Sequence, residues 1–74
     1  MKKSELLKKL IDKRFDVVVG GEKERTCDFL GLMGILERRS DFFRYSPLEQ
    51  KQELEKSLKQ GYVYIDANIS LIIK

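Results

Sequence analysis

Arg38, Arg39 and Arg44 interleave with Phe42, Phe43 and Tyr45. Guanidinium groups set among aromatic rings can grip phosphates while bases stack on the rings. The three arginines are therefore the candidate nucleic-acid contacts. The competing reading is packing, in which the aromatics close a small core beside Leu48 and the arginines extend to solvent. Tyr62, Tyr64 and Ile72 form a second set. If nothing in the chain covers them they make an exposed apolar patch, which marks an interface. A second copy of the chain is one expected cover, since two-fold dimers are the commonest oligomers; the apolar segment 29–36 is the other.

Chemistry beyond binding is poorly provided for. The chain has no histidine and one cysteine, Cys27, so the commonest general base, a Cys–His nucleophile pair and the usual zinc ligand sets are missing from a single chain. Gly20-Gly21 lacks the lysine and spacing of a phosphate-binding loop, and Gly31 with Gly34 lacks the pattern of a dinucleotide fingerprint. No cofactor is expected, and the reading is a protein that is not an enzyme. Cys27 would have a lowered pKa at a helix N-terminus, but a lone cysteine is more often a small buried hydrophobe, and burial is the favoured reading.

Seventy-four residues, 42% hydrophobic and 36% charged, describe one small globular domain spanning 1–74. The net charge of +3 is uneven: residues 1–14 carry six Lys or Arg against two acids, and the remainder is nearly neutral. The N-terminal cations read as a solvated helix face, with a phosphate- or headgroup-binding patch as the alternative. The longest apolar run, residues 29–36, is far short of the ~20 residues that span a bilayer, so no membrane partner is expected. A lone cysteine and N-terminal apolar residues interrupted by Lys8, Lys9 and Asp12 give a cytoplasmic expectation.

The elements that would position these residues follow from periodicity. Leu6, Leu7, Leu10 and Ile11 form one stripe of a first helix capped by Ser4. Residues 15–19, with three valines, read as a strand ended by Gly20-Gly21, and residues 22–25 as a polar loop. Residues 29–36 read as a helix capped by Thr26 or Asp28 and buried on more than one side, with a short buried strand as the competing reading. Gly31 and Gly34 each weaken a helix by about 1 kcal/mol relative to alanine, so each calls for a close neighbour. Ser46, Pro47 and Glu49 combine a capping box with proline at the first helical position, and Gly61 stops that helix. Residues 62–65 and 69–73 read as a hairpin closed by Asp66-Ala67-Asn68, with Asn68 left-handed and Val63 facing Leu71. The expected fold is α+β in the order α-β-α-α-β-β, with helices on one face of a short antiparallel sheet.

That element order resembles a winged-helix domain, which implies DNA binding by the 46–60 helix. The charge speaks against it, since Glu49 to Gln60 holds three lysines and three glutamates and duplex affinity rests on phosphate neutralisation. The leading expectation is a protein-interaction or regulatory module, homodimeric through Tyr62, Tyr64 and Ile72. Nucleic-acid binding through Arg38, Arg39 and Arg44 is the alternative.

Overall fold

The consecutive valines Val17, Val18 and Val19 favour extended backbone because their branched Cβ atoms crowd a helix, and they sit in the strand about which the fold is built. A computed structural model describes residues 2–74. Its elements are α1 (Lys3–Ile11), β1 (Phe15–Val19), β2 (Glu22–Cys27), α2 (Phe29–Arg39), a 3-10 turn (Phe42–Arg44), α3 (Pro47–Gln60), β3 (Tyr62–Tyr64) and β4 (Ile69–Ile73). The strands form one antiparallel sheet in the order β2-β1-β4-β3. The α+β class, the covered sheet face and the C-terminal hairpin hold, and the order gains one strand.

That strand is β2, which replaces the expected polar loop at residues 22–25. Gly20 and Gly21 both have positive φ, +60° and +85°, the geometry of a two-residue hairpin turn matched to strand twist. Val19 then pairs with Glu22, Asp16 with Thr26 and Phe15 with Cys27, and Glu24 is the extra residue of a bulge opposite Val17 and Val18. Glu22 to Thr26 are all exposed, so the strand lacks an apolar alternation. Charged residues and a bulge on an edge strand also discourage pairing with another chain.

The core lies between the inner sheet face and the helices. Phe15, Val17, Val63 and Leu71 meet Leu6 and Leu10 of α1, Leu32, Ile35 and Leu36 of α2, Phe42, and Leu54 of α3. Helix α2 is one-sided, not buried around its circumference, since Leu30 is 77% exposed. Its cap is Asp28, whose carboxylate accepts from Gly31 N–H at 3.0 Å. Helix α3 carries the full capping box at Ser46 and Glu49 and ends at Gly61 with φ +87°. Its buried Gln50 accepts from Lys3 Nζ and donates to the Tyr45 carbonyl, tying α1 to the start of α3.

Two local expectations are corrected. Ser4 does not cap α1, because the helix begins at Lys3 and its cap position, Lys2, offers no side-chain bond. Asn68 is not left-handed, since no residue other than glycine has positive φ among those described. The Asp66 carboxylate closes that loop instead, accepting from the N–H groups of Asn68 at 2.8 Å and Ile69 at 2.9 Å. Tyr62 pairs with Ile72, Val63 with Leu71 and Tyr64 with Ser70.

The two α2 glycines differ in their surroundings. A Cβ on Gly31 would lie 2.7 Å from Cys27 Cβ, whereas one on Gly34 would meet only the mobile end of Arg38, at 3.3 Å. Gly34→Ala should therefore stabilise the fold by about 0.5–1 kcal/mol. For Gly31→Ala, overpacking of about 1–3 kcal/mol should outweigh that gain. Urea midpoints of the two variants should move in opposite directions from the parent; a shared rise would show that β2 does not press on α2.

Candidate functional site

The hairpin register decides which residues share the outer sheet face. With Tyr62 opposite Ile72 and Ile72 opposite Asp16, one row across the sheet reads Thr26, Asp16, Ile72, Tyr62. The next reads Lys23, Val18, Ser70, Tyr64. No helix lies over these rows: Tyr62 is 41% exposed, Tyr64 62% and Ile72 45%. The structure thus brings the three predicted interface residues onto one open face, with half-buried Val18 beside them. Helix α2, the expected competing cover, packs against the opposite face through Leu32, Ile35 and Leu36.

The β2–β1 half of the face is polar and internally satisfied. Thr26 Oγ1 donates to Asp16 Oδ1 at 2.8 Å, and the ammonium groups of Lys23 and Lys74 lie 3.5 and 3.6 Å from the same carboxylate. The Thr26 hydrogen bond does most to hold the Asp16 pKa below its ordinary value, with Lys23 and Lys74 adding to it against the opposing pull of partial burial. In the sequence Asp16 stands as a single scattered acid, because its three partners come from β2 and the far end of the chain.

Arg38, Arg39 and Arg44 lie elsewhere, in a groove of about 650 Å³ between the end of α2, the 3-10 turn, α3 and the β3–β4 loop. They do come together there, and Tyr64 also lines the groove. Glu37, Asp41, Glu53 and Asp66 line it as well, so four acids face three arginines. Arg44 is also committed to Asp41 at 3.5 Å. Phe42 is the buried member of the aromatic trio and meets the Phe43 ring edge-on at 5.3 Å. Phe43 and Tyr45 are 51% and 38% exposed, so the packing alternative holds for Phe42 alone. Cys27 is half-buried against the core, and burial raises its thiol pKa, with a smaller contribution from Asp28 and partial opposition from Arg25.

Among the described residues no three His, Cys, Asp or Glu side chains gather to hold a metal ion, and no helix is long and apolar enough to cross a membrane. In comparisons with protein-family models, curated proteins and solved structures, the chain has no match. What can be said of function rests on the open face and the charge distribution.

A carboxylate whose pKa is lowered on folding stabilises the fold above its unfolded value, about 3.9, and that contribution disappears as pH falls through the folded value. Asp16→Asn should therefore be less stable than the parent near neutrality, and the gap should close below about pH 4. Urea unfolding of both proteins as a function of pH checks this; a gap independent of pH would mean that the carboxylate charge is not what ties the three strands.

Proposed function

We propose that this protein is a non-enzymatic interaction module, regulatory in role, whose docking surface is the open sheet face and whose partner is a second copy of the chain. The observation that carries this reading is the gathering of Tyr62, Tyr64, Ile72 and Val18 on a face that no element among the described residues covers. Leu30, Leu48 and Phe43 are also exposed, but they belong to α2, α3 and the 3-10 turn and not to the rows across the sheet. The face suits its own copy. A two-fold axis parallel to the strands lays the Tyr62–Tyr64 edge of one copy over the Lys23–Thr26 edge of the other, setting rings against an ammonium and a hydroxyl. A lone cysteine whose thiol pKa is raised by burial suits a reducing cytoplasm.

The size of the face sets the strength. Strands of five, six, three and five residues, spaced about 4.8 Å apart and rising about 3.3 Å per residue, give a projected area of roughly 300 Å². Standard interfaces bury ~800 Å² per partner, so a dimer on this face alone is weak, with a dissociation constant in the micromolar range or above. Sedimentation should show a concentration-dependent monomer–dimer equilibrium. Ile72→Glu should abolish it by placing a charge at the centre of the face, and Leu30→Glu should leave it intact. A parent that stays monomeric at high micromolar concentration would rule out the dimer.

A further inference from the structure

We propose that the surface formed by the C-terminal turn of α1 and the end of β4 binds single-stranded nucleic acid through its phosphate backbone. Lys8, Lys9, Asp12, Lys13, Arg14 and Lys74 line a shallow concavity of about 450 Å³. Five cations against one acid give this patch a side-chain charge of +4, while the whole chain carries +3. Everything outside it therefore sums to −1, so the basic character of the protein belongs to this one surface.

The protein's own acids do not neutralise it. Five ion pairs form among the described residues, and their cations are Lys23, Arg25, Arg44, Lys51 and Lys74. Lys8, Lys9, Lys13 and Arg14 are within pairing distance of no carboxylate among those residues, and all four are exposed. A favourable interaction with the helix dipole accounts for Lys8 and Lys9 in the last turn of α1. It does not account for Lys13, Arg14 and Lys74, which lie beyond the helix. Lys74 is brought from the other end of the chain by its N–H bond to the Arg14 carbonyl, at 3.0 Å.

Several unpaired cations on one concave surface attract a polyanion, and the affinity comes from counterion release. The cations are confined to the last turn of α1, the two residues after its cap and Lys74, around a concavity of about 450 Å³. That is too compact to follow a duplex groove, whereas a flexible single strand can fold several phosphates onto it. Arg38, Arg39 and Arg44 are a weaker candidate because acids share their groove.

The test is fluorescence anisotropy with a labelled oligothymidine, starting at low salt, on the full chain. Binding should weaken with a log–log salt slope of about −3 if four cations meet phosphates. The triple variant Lys9→Ala/Lys13→Ala/Arg14→Ala should reduce the magnitude of that slope by about 2, with its circular dichroism unchanged because the three side chains are exposed. Arg38→Ala/Arg39→Ala/Arg44→Ala should bind as the parent does. Absence of binding at low salt, equal weakening by both triple variants, tighter binding to a duplex of the same length, or capture by anionic vesicles but not by the oligonucleotide would each overturn the proposal. The dimer on the open face is scored separately by sedimentation, so either idea can fail alone.

Discussion

A four-stranded sheet has two faces to shield from water, and this chain has helices enough for one. Three helices and a 3-10 turn lie against the inner face, where Phe15, Leu71 and Val63 complete a single core. Strand β1 carries the constraint in its alternation: Phe15 and Val17 are buried, while Asp16 and Val18, alternating with them, lie on the uncovered side. The outer face therefore has to be made acceptable to water by its own side chains. Its two halves meet that demand differently. On β2 and β1, Thr26, Asp16 and Lys23 form a satisfied polar cluster. On β4 and β3, Ile72, Tyr62 and Tyr64 leave apolar surface exposed.

Much of this was legible in the sequence where a local rule has one physical solution. Proline after serine with glutamate three residues on makes α3 start where it does, and glycine in the left-handed conformation ends it. The C-terminal hairpin was legible down to its register, because a slip of one residue would have turned Val63 and Leu71 to the solvent. The placement of Tyr62, Tyr64 and Ile72 on one face followed from that register alone.

Strand β2 was illegible for the opposite reason. An edge strand exposed on both faces has no hydrophobic period, and Glu22 to Thr26 read as a loop until their partner strand is seen. The paired glycines were the available signal, since two successive residues able to take positive φ mark a tight hairpin as readily as the end of a strand. The charge balance around the arginines was hidden for a different reason. The spacing of Arg38, Arg39 and Arg44 among aromatics was visible, but the acids opposing them include Glu53 and Asp66 from distant elements. Charge balance in a groove is a tertiary property, and so was the meeting of Lys74 with Arg14.

Lys74 is the point where the open face and the basic surface adjoin. Its backbone is fixed to Arg14 on the side of the α1 cations, while its ammonium reaches Asp16 on the sheet. Asp16 is the only acid in the two rows across that face, and left unpaired it would make the face costly to bury against anything apolar. With a hydroxyl and two ammonium groups around it, that cost falls, and the character of the face is left to the rings and to Ile72 and Val18. The same pairing withdraws Lys74 in part from the basic surface, so the uncompensated charge there belongs mainly to Lys8, Lys9, Lys13 and Arg14. One carboxylate thus separates two surfaces of different character: a locally compensated face with exposed rings and aliphatic side chains, and a cationic one with little compensation of its own.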